Sequence, residues 1–422
     1  MEFSNVEKQV LEYFFTSSNE NDTVYAAKQT LPQEIIGYII GRASRAKDTF
    51  REIFLNLWKE AGNGIVEIVD TRDSNKNILD KISEKSFKFL NEYKLHNSLR
   101  DVPHIAIFCD ELSILQTKVW EHEVVAEYQE KSTRYRPFVA SNVYIPNNIS
   151  EGMKSRIENG NNLLIETYNS IFEETGKRDL ARYLLPVSSK TAMASMASIR
   201  SWERVVCRML AYPTQESKTL AMAIVESVKR ALNTDSFNID ENVVEKYSDS
   251  FKFLSDSIIN AKNDVVFGVV GQTSLVKKID GENVYKIEGL IDIGAHRDLQ
   301  RHRSVIQNFP DYRPIYGCDA LIEKYISKEL FCQYVDNMDY FYELYFDLYE
   351  ELKGQDNIGE IQYISLLGHM TKFWYITDRE RWQYIYDLRT GSPNQKSTNE
   401  KTVHFSYSNW CKETDKKIRE LD

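Results

Sequence analysis

The sequence of this 422-residue chain predicts the same succession of secondary-structure elements twice. This repetition limits the possible folds more strongly than any other property of the sequence. In each half, short strands lead to a motif-bearing helix, then to long helices, and finally to a late helix that bears arginine. Glycine (17 residues) and proline (9 residues) are sparse, which favours long helices with some sheet over an all-β fold. The sequence therefore predicts an α+β chain of two tandem copies of one fold, residues 1–232 and 233–422, with the polar segment Asn233–Asn242 at their junction.

Several individual elements follow from periodicity. Lys8–Phe15 alternates polar and apolar residues over part of its length and predicts a strand, and Thr23–Ala27 predicts a second one. Apolar residues at helical spacing predict an amphipathic helix over Ser195–Met209, with Arg200, Arg204 and Arg208 on a solvated or interface face. The second half predicts two strands and a long aromatic-rich helix at Val265–Val270, Val284–Ile287 and Ala320–Leu352.

Composition excludes several classes of protein. A hydrophobic content of 42% and a charged content of 27% are typical of a soluble globular chain. The net charge of −10 argues against sequence-independent binding to nucleic acid. The absence of an apolar run of about 20 residues argues against a membrane span. The amino terminus lacks the pattern of a signal peptide, and the five cysteines form no C-x-x-C pair, so we expect a cytoplasmic protein with reduced thiols.

The segment Arg297–Arg303 holds three arginines and a histidine within seven residues. Helical spacing would place Arg297 and Arg301 on one face. Guanidinium groups match phosphate oxygens two at a time, so the segment predicts a site for a phosphate or pyrophosphate. A solvated arginine face paired with acidic neighbours is the alternative. A second segment, Glu130–Tyr135, reads Glu-Lys-Ser-Thr-Arg-Tyr and favours the binding site.

Together the two segments resemble the signature of the flavin-dependent thymidylate synthases, in which an Arg-His-Arg triplet precedes Ser-x-Arg-Tyr. The resemblance implies that Arg301, His302 and Arg303 hold FAD, and that Ser132, Thr133 and Arg134 hold dUMP. The motif is divided between the halves. Asp311 stands where the second half should have serine, although Arg313 remains as a further dUMP ligand, and the first half has Trp120–Val124 in place of the triplet.

Further segments carry the resemblance along the chain. Gly41–Arg45 resembles an Ala-Arg-x-Ser segment, and His96-Asn-Ser98 resembles the family's flavin-contacting His-x-Ser. The resemblance implies that Arg182, within Ala181–Pro186, contacts the substrate and that Arg389 is a second clamp for the phosphate.

The implied reaction is reductive transfer of a one-carbon unit from methylene-tetrahydrofolate to C5 of dUMP, with FAD as cofactor and NADPH as reductant. The chain has no Ser-His-Asp or Cys-His signature, and a flavin that carries the chemistry requires no catalytic side chain. The family builds its sites between subunits, so the resemblance implies a homodimer that mimics a tetramer. One site per chain, shared by the two halves, is the corresponding hypothesis, because Glu121 and Glu123 would repel a pyrophosphate in the first half.

Two alternatives remain open. The first is an enzyme of the same fold that makes another C5 modification of a pyrimidine nucleotide. The second is a nucleotide-binding or structural protein that kept the fold after its catalytic site decayed. Each key residue also has a structural explanation: Ser132 as a helix N-cap, Arg389 as a partner of a helix C-terminus, and Arg301 and Arg303 as plain ion pairs.

Overall fold

A computed structural model describes residues 2–23, 25–43, 46–62, 72–92, 97–133, 137–232, 237–251, 266–279, 283–303, 305–308, 312–390 and 405–422. The fold combines helices with small, mostly antiparallel sheets and is α+β. Below, residues 1–232 are called the amino-terminal half and residues 233–422 the carboxy-terminal half. No helix within the described residues combines the length and the hydropathy that crossing a bilayer requires.

Four helices with a hydrophobic core of their own begin the chain: α1 Asn5–Phe14, α2 Gln33–Ala43, α3 Phe50–Ala61 and α4 Arg72–Glu92. The predicted strand over Lys8–Phe15 is wrong, because this segment belongs to α1. Ser4 and Glu7 form a capping box, in which each side chain accepts the backbone N–H of the other residue, and this starts the helix. The second predicted strand, Thr23–Ala27, contributes only an isolated bridge between Phe15 and Ala27 among the described residues.

The rest of the amino-terminal half surrounds a three-stranded antiparallel sheet of order β1-β3-β2. Its elements are β1 His104–Ser113, α5 Ile114–Glu121, β2 Ala126–Glu130, α6 Glu151–Thr175, α7 Arg178–Ala181, β3 Lys190–Ser198, α8 Ile199–Ala211 and α9 Gln215–Ala231. The helix predicted over Ser195–Met209 is wrong in its first turn. Ser195 lies in β3, and α8 begins only at Ile199, because the Ser198 side chain accepts the Ser201 N–H as N-cap.

The carboxy-terminal half contains a four-stranded antiparallel sheet of order β5-β6-β9-β7 and a parallel pair, β4 with β8. Its elements are α10 Glu241–Phe251, β4 Val266–Val270, β5 Leu275–Lys278, β6 Val284–Asp292, α11 Ile293–Gln300, β7 Ile306–Gln307, β8 Tyr316–Asp319, α12 Lys328–Leu352, β9 Met370–Asp378, α13 Arg379–Thr390 and α14 Phe405–Arg419. The two predicted strands are present as β4 and β6. The helix predicted over Ala320–Leu352 is divided: Ala320–Lys324 is a 3₁₀ turn, and α12 starts after its N-cap Ser327.

The two halves have the same order of principal elements. In each half, one strand leads directly into a short helix (β1 into α5, β6 into α11). A nine-residue strand later in each half leads directly into a second helix (β3 into α8, β9 into α13). The long helices α6 and α12 both have 25 residues, and serine N-caps begin both.

Reciprocal contacts join the halves. Pro186 and Leu366 form an antiparallel bridge, in which Val187 N–H donates to Ser365 O (2.8 Å) and Leu367 N–H donates to Leu185 O (2.8 Å). The α6 and α12 helices pack together where Gly160 meets Phe341, and residues of both halves form one hydrophobic cluster. The halves are therefore joined through one shared hydrophobic cluster, which is separate from the core of α1–α4.

Candidate functional site

The Arg-His-Arg triplet lies at the carboxyl end of α11. Asp292 ends β6 and caps α11, since its carboxylate accepts the Ala295 N–H (2.7 Å). The helix ends at Arg301, and the His302 N–H donates to Leu299 O (2.9 Å) in the turn that follows. A helix C-terminus favours cations, so this position suits the triplet.

A groove with a volume of about 670 Å³ surrounds the triplet. This volume is within the range of roughly 300–1,000 Å³ that is typical of ligand sites. Both halves contribute to its lining: Val124, Glu127, Arg301, His302, Arg303, Tyr384, Leu388 and Arg389. The late-helix residue Arg389 is brought to the triplet, where its Nε donates to His302 Nε2 (3.3 Å).

The amino-terminal half meets the triplet through β2. Arg303 donates to the Ala126 carbonyl and forms an ion pair with Glu127 (2.6 Å). One turn earlier on α11, Arg297 pairs with Glu130 and donates to Thr133 Oγ1 (3.1 Å). Two segments that lie far apart in sequence therefore converge.

Carboxylates of the chain itself already bind several of these cations. Asp298, which is buried, pairs with Arg301 and with Arg182 (3.1 Å). Burial alone would lower the pKa of the Arg182 guanidinium, but the charge of Asp298 raises this pKa above its ordinary value. Arg182 is buried, whereas the side chains of Arg301 and Arg303 remain 37% and 26% exposed toward the groove.

The other predicted ligands lie elsewhere. Ser132 and Thr133 line a separate cavity of about 470 Å³ beside β1 and β3. Ser132 is in a segment without regular structure and is no helix N-cap, since the next described helix, α6, has Ser150 as its N-cap. Arg313 is buried and does not belong to the groove lining.

Some predicted residues cannot be placed in the fold. His96, Arg134 and Asp311 lie outside the described residues, as do Ser44 and Arg45 of the Gly41–Arg45 segment. Ser98 lies in the 3₁₀ region Asn97–Asp101, but its side chain is outside the described part.

Sequence reasoning assigned no role to three residues of the site. Tyr384 is 59% exposed at the groove, and its spacing of four from Leu388 on α13 was a usable signal. Asp298 and Glu130 neutralise arginines across the fold, and nothing in their local sequence indicated those partners.

The counterpart of the triplet in the amino-terminal half is closed by ion pairs. After α5 the chain reads Glu121-His122-Glu123, and Glu123 pairs with Arg204 (2.8 Å) and Arg208 (3.6 Å). A solvated position, one of the two expected for this face of α8, is wrong for Arg208, which is buried and also donates to Tyr247 of α10 (3.1 Å). Burial lowers the pKa of His122 to about 3, so this imidazole is neutral at physiological pH.

The α+β fold brings Arg301, Arg303 and Arg389 together on one groove between its halves. The family model described as thymidylate synthase complementing protein matches residues 15–232, more than half of the sequence, and the chain belongs to this family.

Two solved structures of a UMP/dUMP methylase, PolB, from Streptomyces cacaoi are similar to this chain at 13% sequence identity. The complex with 5-Br dUMP has a TM-score of 0.30, with 51% of this chain and 90% of that chain covered. The complex with 5-Br UMP has a TM-score of 0.27, with 46% and 89% covered. None of the curated proteins matches this chain.

Proposed function

We propose that this chain is a flavin-dependent enzyme that transfers a one-carbon unit to C5 of dUMP. Methylene-tetrahydrofolate would be the donor and NADPH the reductant, as family membership suggests. The observation that carries the proposal is the convergence of Arg301, His302 and Arg303 with Arg389 and with β2 on one open groove. The resulting positive charge suits phosphorylated ligands.

The groove residues fit a flavin dinucleotide. Glu127, the partner of Arg303, is exposed. Because exposed ion pairs typically contribute only about 0–1 kcal/mol to stability, a phosphate oxygen can replace the Glu127 carboxylate with little loss of free energy. The exposed ring of Tyr384 meets His302 edge-on (6.0 Å between ring centroids) and offers a flat surface for a planar ring. When bound, a reduced flavin supplies the hydride. We assign Arg301, His302 and Arg303 to its pyrophosphate, and His96 and Ser98 remain predicted flavin contacts.

The nucleotide is assigned to Ser132, Thr133, Arg134, Arg182, Arg313 and Arg389. Arg297 links the Ser132–Thr133 segment to the helix that ends in the triplet, which supports one site shared between the halves. The chemistry asked of these residues is orientation and charge neutralisation, because the cofactor carries the hydride transfer.

The matching element order and the reciprocal bridge at Pro186 and Leu366 support an origin by tandem duplication, with copies at residues 1–232 and 233–422. Exposed apolar side chains in the groove lining support a homodimer that covers it, namely Val124, Tyr384 and Leu388. We place the enzyme in the cytoplasm.

The direct test begins with purified full-length protein. We expect yellow protein with a flavin absorbance band, and release of tritium from C5-labelled dUMP when methylene-tetrahydrofolate and NADPH are both supplied. Colourless protein that cannot be loaded with FAD, and that releases no tritium, would refute the proposal.

The second candidate function is nucleotide binding without catalysis. The pairing of Asp298 with Arg182 and Arg301 favours it, because these cations are partly neutralised before any ligand arrives. Under this candidate, dUMP binds by calorimetry while no flavin is retained. Tritium release separates the two functions.

A further inference from the structure

The side chain of Arg297 joins the two halves. It is 4% exposed on α11 of the carboxy-terminal half. Its Nε and Nη2 donate to the two carboxylate oxygens of Glu130, the last residue of β2, and its Nη1 donates to Thr133 Oγ1 (3.1 Å). One guanidinium therefore fixes both a strand end and the loop that continues from it.

The Glu130 carboxylate depends on this partner. It is buried, and its other cation, Lys118, lies 3.7 Å away and is shared with Glu121. Burial would raise the pKa of Glu130, but the charges of Arg297, Lys118 and Arg301 lower it below its ordinary value, so the group is ionised. An ionised carboxylate in this position is tolerated only while its cations stay in place.

The next residues along the chain line the cavity beside β1 and β3. Lys131 N–H donates to Ala192 O (2.9 Å), which extends the pairing of β2 by one residue. Thr133 then receives its hydrogen bond from Arg297, and Ser132 and Thr133 line the cavity. The position of this lining is therefore set by a residue of the opposite half.

We infer that Arg297 is a positioning residue, which holds the Ser132–Thr133 segment in place for the nucleotide without touching the nucleotide itself. This inference rests on the proposed function. It makes nucleotide affinity in the amino-terminal half dependent on α11, the helix whose end holds the triplet in the carboxy-terminal half.

The test uses two variants and their combination in the full-length protein. Arg297→Lys keeps the charge opposite Glu130 and loses the two-pronged geometry, whereas Thr133→Val removes only the accepting hydroxyl. We expect each to raise the KM for dUMP roughly tenfold, with kcat, flavin affinity and Tm nearly unchanged. Thr133→Ser, which retains the hydroxyl, should restore the wild-type KM.

The double variant separates positioning from direct contact. If Arg297 acts through Thr133, the double variant should be no worse than either single variant, because both remove the same interaction. Multiplying effects would mean that Arg297 acts on dUMP independently of Thr133, and this result would overturn the inference.

Amide hydrogen exchange in ligand-free protein distinguishes failure of the inference from failure of the proposed function. Faster exchange at residues 131–133 in both single variants is expected whether or not the wild type methylates dUMP. Unchanged exchange there would overturn the inference even if the enzyme is active. Wild-type protein that fails to bind dUMP, together with faster exchange in the variants, would refute the proposed function while the structural role of Arg297 stands.

Discussion

Carboxylates decide which arginines of this protein can meet a ligand. Asp298 binds Arg182 in the interior, whereas the partner of Arg303 is the exposed Glu127. The first pair is costly to break because it would leave a buried charge, and the second exchanges with water and ligand at little cost. We therefore expect ligand binding in the groove to depend on the cations that line it, among them Arg303 and Arg389.

Arg389→Gln tests that dependence. Arg389 lines the groove, and its Nε donates to His302 Nε2 (3.3 Å). We expect the affinity for FAD or dUMP to fall about 10- to 100-fold, the range for loss of a charge-assisted hydrogen bond of roughly 1.5–3 kcal/mol. Arg381→Gln is the control on the same helix, since Arg381 is exposed and paired with Asp378. Equal losses in calorimetric titrations of both variants would remove Arg389 from the site.

Glu360 makes stability depend on pH. It is buried, its carboxylate accepts the Gln215 N–H (2.8 Å), and burial, with a smaller contribution from Glu216, raises its pKa to about 7. The unfolded chain loses this proton near pH 4.5, so the free energy of unfolding should fall as pH rises from about 4.5 through 7. Glu360→Gln removes the ionisation. In urea titrations we expect the variant to match the wild type at pH 5 and to be about 1–3 kcal/mol more stable at pH 8.

The pH comparison is specific to Glu360. Asp319, whose pKa burial raises to about 6, changes stability in the same direction but is present in both proteins and cancels from their difference. A constant difference between pH 5 and pH 8 would contradict the assignment.

At the scale of elements, the contact of α6 with α12 tolerates no added atom. A Cβ on Gly160 would lie 2.7 Å from Tyr340 and 3.0 Å from Phe341 of α12. We expect Gly160→Ala to destabilise the protein by about 1–3 kcal/mol through overpacking, despite the better helix propensity of alanine. Gly152→Ala on the same helix is the control, because its Cβ would meet nothing within 4 Å, and it should be neutral or slightly stabilising. Denaturant unfolding measures both, and similar values would contradict the packing argument.

The elements also show what the sequence could predict. β6 and the late arginine-bearing helix, α13, agree with expectation, because both have local signals in the sequence. The error at α1 arose because alternation over a few residues outweighed the Ser4 and Glu7 capping box, which was visible in the sequence. The convergence of Arg303 with Glu127 was predictable only as a hypothesis, since β2 and α11 meet through tertiary packing.

At the scale of the molecule, the halves are similar in topology and different in charge. The carboxy-terminal half has Arg301, His302 and Arg303 after its motif helix, and the amino-terminal half has Glu121, His122 and Glu123. Carboxylates repel an anion and arginines attract one, so we expect an anion to bind at the carboxy-terminal position and not at the amino-terminal one.

The chain should therefore bind one flavin, and isothermal titration with FAD should give a stoichiometry of one per chain. At the corresponding position of the amino-terminal half, Glu123 already pairs with Arg204 and Arg208. A pyrophosphate could bind these two arginines only by displacing the Glu123 carboxylate. Arg303→Gln should weaken the single binding event about tenfold or more, because it removes a groove cation. Arg204→Gln should leave both affinity and stoichiometry unchanged, since Arg208 still pairs with Glu123. Two equivalents of flavin per chain, or a loss of binding in Arg204→Gln, would contradict this expectation and show that flavin also binds at the amino-terminal position.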